Sequence, residues 1–139
     1  MLILLSIVFA VKHIMTKEII SVENDVSVFD AVSVMVNHDI GSVVVTQDGV
    51  PVGIITERDI LKKCCNKRLW RADLKVEDFM SSPLITIEAD KSLGEAALLM
   101  SDKKIRRLLV TEKGNIVGII TEKDVFRGTL SYFETVVNL

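Results

Sequence analysis

An α+β fold built from two copies of one β-α-β-β-α unit is predicted by three observations. The chain repeats itself without a gap at a single offset of 65 residues, Val11 to Leu61 against Val76 to Phe126. About 19 of those 51 positions are identical, and a fixed period of this kind marks a duplicated structural unit. Within each copy, short aliphatic runs alternate with a stretch of helical periodicity. Finally, Asp48-Gly49 and Lys113-Gly114-Asn115 each separate two aliphatic runs, which is hairpin-turn chemistry.

Each copy reads in the same order. Ile19 to Val22 and Leu84 to Ile87 are short leading strands. Ser27 and Ser92 then cap helices, with Asp30 and Glu95 three residues on. Val28, Ala31, Val32 and Met35, and likewise Leu93, Ala96, Ala97 and Met100, recur at helical spacing and give each helix a core face. These helices should end near Asp39 and Lys104. Ser42 to Thr46 and Leu108 to Thr111 are middle strands, turning into Val52 to Thr56 and Ile116 to Thr121. A last helix starts after Thr56 or Thr121. The implied organisation is an apolar extension (1–10), a first repeat (11–65), a polar link (66–75), a second repeat (76–130) and a tail (131–139). A unit of about 50 residues is marginal alone. The two are therefore expected to pack sheet to sheet about a pseudo-twofold axis, leaving two related clefts of the kind that hold small ligands.

Composition narrows the function. The 139 residues are 49% hydrophobic and 26% charged but only 5% aromatic, with a mean hydropathy of +0.39, which excludes disorder. Seventeen basic against nineteen acidic residues give a net charge of −2, so nucleic acid is not expected as a main partner. Cys64 and Cys65 are adjacent, too divergent on a helix for an unstrained bridge, and a reducing cytoplasm fits. Together with His13 and His38 they show no metal-ligand spacing. No nucleophile elbow, phosphate-binding loop or Gly-x-Gly-x-x-Gly is present, so an enzyme is not expected. The run Met1 to Val11 is apolar except for Ser6 and about half the length of a membrane span. Packing on the core or a partner chain, a start codon placed too early, and membrane contact are the readings open for it. Trp70 is expected to anchor the link by packing.

The duplicated Val-Gly-Ile-Ile-Thr-Glu-Arg-Asp (Val52 to Asp59) and Val-Gly-Ile-Ile-Thr-Glu-Lys-Asp (Val117 to Asp124), led by Ile14-Met15-Thr16 and Phe79-Met80-Ser81, resemble a pair of cystathionine-beta-synthase-type (CBS) domains. The resemblance covers residues 11 to 126. It implies a stand-alone regulatory module, requiring no cofactor for chemistry, that binds AMP, ADP, ATP, S-adenosylmethionine or NAD between its repeats. It also implies a homodimer and a regulated partner elsewhere. Asp59 and Asp124 are candidates for the ribose, whose vicinal hydroxyls one carboxylate can accept. Thr56 and Thr121 stand at the strand-to-helix corner, where a hydroxyl and free helix N–H groups can meet ribose or phosphate. Arg58 and Lys123 add a cation to each corner, and Ile20 and Ile85 resemble the positions that flank adenine.

A second reading needs no ligand, because Thr-x-x-Asp is also a capping-box spacing. The repeats differ just before the middle strand, with Gly41-Ser42 in one and Arg106-Arg107 in the other. In the family this chain resembles, the Asp of the first repeat shares its cleft with that part of the second. Asp59 with Arg58, Arg106 and Arg107 would then prefer a phosphate chain, and Asp124 with Ser42 and Lys123 a less charged ligand. A solvated arginine pair at a strand start is the alternative.

Overall fold

A computed structural model of the chain describes residues 9–69 and 71–138. The apolar run before Phe9 and the Trp70 anchor therefore lie outside the described residues. The elements are α1 (Val11–Ile14), β1 (Ser21–Glu23), α2 (Val28–His38), β2 (Ser42–Gln47) and β3 (Val50–Thr56). A short helix, α3 (Glu57–Asp59), continues as a wider π-helical stretch over Ile60–Cys65. After a 3₁₀ turn (Val76–Asp78) come β4 (Thr86–Glu88), α4 (Leu93–Lys103), β5 (Arg107–Glu112), β6 (Asn115–Thr121) and α5 (Glu122–Val137). Both repeats thus have the expected order of elements. Each sheet has three strands, β1-β2-β3 and β4-β5-β6, with the first pair parallel and the second antiparallel.

Local chemistry sets the helix limits. Ser27 accepts from the Asp30 N–H at 3.0 Å, and Ser92 and Glu95 form a complete reciprocal box. Both helices stop where Asp39 and Lys104 enter the left-handed region, at φ 52° and 55°. The hairpins turn through Asp48-Gly49 and Lys113-Gly114, all at positive φ as a tight primed turn requires. The leading strands begin two residues later than expected, at Ser21 and Thr86. Ile20 and Ile85 still lend their carbonyls to the Val44 and Leu109 N–H groups. Ala97 is exposed, since it stands at the edge of the stripe that buries Leu93, Ala96 and Met100.

The chain forms two compact units. One is Ile19–Leu84; the other joins the described residues up to Glu18 with those from Ile85 onward. Each unit therefore combines the body of one repeat with the leading segment of the other. In the first unit Val76 is fully buried among Val28, Val43, Val45 and Ile55. In the second, Val11 occupies the equivalent place among Leu93, Leu108, Val110 and Ile120. Burying one such side chain stabilises each docking by about 1.5–3 kcal/mol.

Backbone bonds repeat this exchange. Ser81 and Ile54 bond reciprocally at 2.8 and 3.1 Å, and Thr16 and Ile119 do so at 2.9 Å in both directions. Gly53 and Gly118 allow that approach. A Cβ at Gly53 would stand 2.6 Å from Met80 Sδ, and one at Gly118 would stand 2.8 Å from the Thr16 carbonyl oxygen. The glycine of the repeated Gly-Ile-Ile-Thr is thus explained by the Met-Ser or Met-Thr segment crossing it.

Candidate functional site

Each candidate corner begins where the last strand of a sheet runs into a helix. Thr56 and Thr121 are N-caps in extended conformation, and each accepts from the N–H of the Asp three residues on, at 3.1 and 3.3 Å. The Asp reciprocates through one oxygen. Asp59 Oδ2 accepts from the Thr56 N–H at 3.0 Å and its hydroxyl at 3.1 Å; Asp124 Oδ2 accepts from Thr121 at 2.9 and 3.1 Å. Both carboxylates are buried. The capping role is therefore real, and it consumes one oxygen of each Asp.

The other oxygen distinguishes the two sites. Asp59 Oδ1 accepts from the Ser81 hydroxyl at 3.0 Å and pairs with Lys63 Nζ at 3.2 Å. Lys63 also donates to the Phe79 carbonyl at 3.0 Å. Asp124 Oδ1 pairs with Arg127 alone among the described residues. A carboxylate offers about four acceptor positions. Asp59 has four contacts on its carboxylate, whereas among the described residues Asp124 has three.

Ser42 stands opposite Thr56 in the ladder, and the Gly41 carbonyl accepts from the Glu57 N–H at 3.0 Å. Arg107 stands opposite Thr121 in the same way, and the Arg106 carbonyl accepts from the Glu122 N–H at 3.0 Å. The Arg106 side chain also lies 3.9 Å from the Glu122 carboxylate. Within its own unit, then, each of these pairs lies beside the Thr-x-x-Asp start of the same repeat. Arg58 and Lys123 are exposed on the first turns of α3 and α5, and Ile20 and Ile85 are half-buried before β1 and β4.

Sequence reading missed Ser81, Lys63 and Arg127. The two cations were accessible, since a base three or four residues beyond an Asp on a helix faces it. Ser81 was quoted within its motif, but its contact with Asp59 spans 22 residues and follows from the exchange of leading segments. Elsewhere, burial above all pushes the Cys64 thiol up from its ordinary pKa. Among the described residues no cluster of three His, Cys, Asp or Glu could hold a metal, and no helix is long and apolar enough to cross a membrane.

Two β-α-β-β-α bodies, each with a buried Thr-x-x-Asp corner and each completed by the other's leading segment, define a tandem regulatory module. The CBS domain family matches residues 11–66 and 76–130, and the chain belongs to that family. It is similar to an uncharacterized protein of Methanopyrus kandleri, 42% identical over 95 residues, which covers 67% of this chain and 48% of that one. The chain thus spans about half the length of that curated relative. An uncharacterized conserved protein of Pyrococcus horikoshii has the same fold, with a TM-score of 0.81 and 35% identity over 87% of this chain and 92% of that one. A CBS-domain pair solved with 5′-methylthioadenosine and S-adenosyl-L-methionine superposes with a TM-score of 0.78 and 27% identity, covering 88% and 97% of the two chains.

Proposed function

We propose that this chain senses an adenosine-containing ligand, AMP, ADP, ATP or S-adenosylmethionine, and reports occupancy through a change in shape. The observation that carries the reading is the buried carboxylate at a duplicated strand-to-helix corner. It is supported by a family neighbour bound to two adenosyl ligands. Asp59 and Asp124 accept the ribose hydroxyls, Thr56, Thr121 and the helix N–H groups meet the oxygens beyond, and Ile20 and Ile85 flank the adenine. Arg58, Arg106, Arg107 and Lys123 hold phosphate, and Ser42 serves the less charged ligand. The module acts in the cytoplasm as a homodimer on a separate partner protein, and catalyses nothing itself.

Titration calorimetry with AMP, ATP and S-adenosylmethionine tests this, and saturable binding of at least one is the expected result. A second reading, a ligand-free structural or dimerisation module, is favoured by the complete hydrogen bonding of Asp59 to residues of the chain itself. Absence of binding by all three compounds would establish it.

A further inference from the structure

The filled carboxylate of Asp59 has a consequence for how binding is signalled. Its Oδ1 atom holds the Ser81 hydroxyl and the Lys63 ammonium, and Lys63 in turn holds the Phe79 carbonyl. Two donors from two segments therefore converge on the one oxygen that the helix cap leaves over, and one of them also holds Phe79. Residues 79–81 are at the same time the part of the leading segment that crosses Gly53 and pairs with Ile54. With four donors already on the carboxylate, a ribose hydroxyl gains Oδ1 only by displacing one of them. Lys63 keeps 41% of its side chain exposed and Ser81 is exposed, so both have water to turn to.

We propose that Asp59, Lys63 and Ser81 form a latch that ties the 79–81 segment to α3, and that a ribose releases it by taking Asp59 Oδ1. The inference rests on the ligand reading given above and adds the route by which occupancy becomes movement. Among the described residues the second unit carries no such latch. The residue equivalent to Lys63 is Gly128, whose lack of a side chain lets Leu93 and Ile14 approach α5. The residue equivalent to Ser81 is Thr16, and among the described residues no side-chain bond joins it to Asp124. The Arg127 cation comes from the same helix as Asp124, so freeing it loosens nothing beyond that helix. One corner couples binding to the leading segment; the other binds without coupling.

Hydrogen exchange at the Ile54 and Ser81 amides reads the latch directly, with the Ile119 and Thr16 amides as the internal control. Without nucleotide, Ser81→Ala and Lys63→Met should each raise exchange at Ile54 and Ser81 by about 10-fold, the worth of a bond to a charged group, and leave Ile119 and Thr16 unchanged. Saturating AMP should produce the same rise in the parent protein, and Ser81→Ala should bind AMP about 10-fold more tightly because a competitor is gone. Unchanged exchange in both variants overturns the latch. AMP binding that leaves Ile54 and Ser81 equally or better protected overturns its release. If AMP, ATP and S-adenosylmethionine all fail to bind, the ligand reading and the release fall together, while the nucleotide-free variants still decide whether the latch exists.

Discussion

Replacing Asp59 or Asp124 separates capping from ligand binding, because the two roles use different properties of the carboxylate. The cap needs an oxygen that accepts from the Thr N–H and hydroxyl, which an amide oxygen also supplies. The ribose reading needs a charged acceptor with capacity for two hydroxyls. Asp→Ala removes both: the lost cap costs about 0.5–2 kcal/mol, and the stranded buried donors cost about 1–3 kcal/mol more. Since the donors are shared, the combined destabilisation should be about 2–4 kcal/mol at either site. Asp→Asn keeps the cap oxygen but turns an amide NH2 group toward Lys63 or Arg127, so it should recover only part of that stability. Its effect on binding should still be large, because two hydrogen bonds to a charged group at about 1.5–3 kcal/mol each, not fully additive, amount to about 2–4 kcal/mol. That corresponds to a loss of roughly 30- to 1,000-fold in affinity. Urea unfolding of Asp59→Asn and Asp124→Asn supplies the stability, and calorimetry with AMP supplies the affinity. If both variants and their combination fold and bind AMP like the parent protein, the carboxylates are caps only and the assignment is wrong.

Gly118→Ala should destabilise by about 2–4 kcal/mol and Gly53→Ala by less, about 1–3 kcal/mol. The new Cβ meets the Thr16 backbone oxygen at 2.8 Å in the first case but the Ser81 oxygen at 3.0 Å in the second; equal or reversed losses in thermal unfolding would refute the crossing-segment account. Replacing Arg106 and Arg107 together by Ala should weaken ATP binding far more than adenosine binding and flatten its salt dependence, whereas an equal loss for both ligands would place the phosphate elsewhere. Burial raises the Cys64 pKa, so the folded state retains a proton that the unfolded chain releases. The stability this contributes is full below the ordinary thiol pKa of about 8.5 and declines as pH rises through the folded value. Urea titrations between about pH 8 and pH 10 should show that decline, and Cys64→Ala should make it shallower.

Features held within a few residues of each other were legible in the sequence. Ser27 and Ser92 cap where their spacing to Asp30 and Glu95 indicates, and the chain turns left-handed at Asp39 and Lys104 where the apolar stripe ends. The Asp-Gly and Lys-Gly hairpins follow from residues that tolerate positive φ. The Thr-x-x-Asp corners were legible as well, but only as a choice between cap and ligand site. The missing information was the occupancy of the second oxygen. It depends on which cation the next helical turn supplies, Lys63 in one unit and Arg127 in the other, and in one case on a serine from another segment. The leading strands were misplaced by two residues because aliphatic content does not reveal where ladder pairing begins.

The exchange of leading segments was the least legible feature, and it explains the most. A strict internal repeat invites the assumption that each copy folds on itself, since nothing in Val11 or Val76 says which repeat's core it enters. In each unit the leading segment is nonetheless held by the same three devices: a buried valine, a reciprocal pair of backbone bonds, and a glycine that makes room for the methionine. Neither body has a complete core without the other copy's segment, so the duplication is a requirement of the fold as well as its history. Against that near-symmetry the first unit adds Lys63 and Ser81 on Asp59, where the second has Gly128 and Thr16 at the equivalent positions and Arg127 on Asp124. Two corners built from the same motif are in this way made unequal by the residues around the second carboxylate oxygen, with the motif itself unchanged.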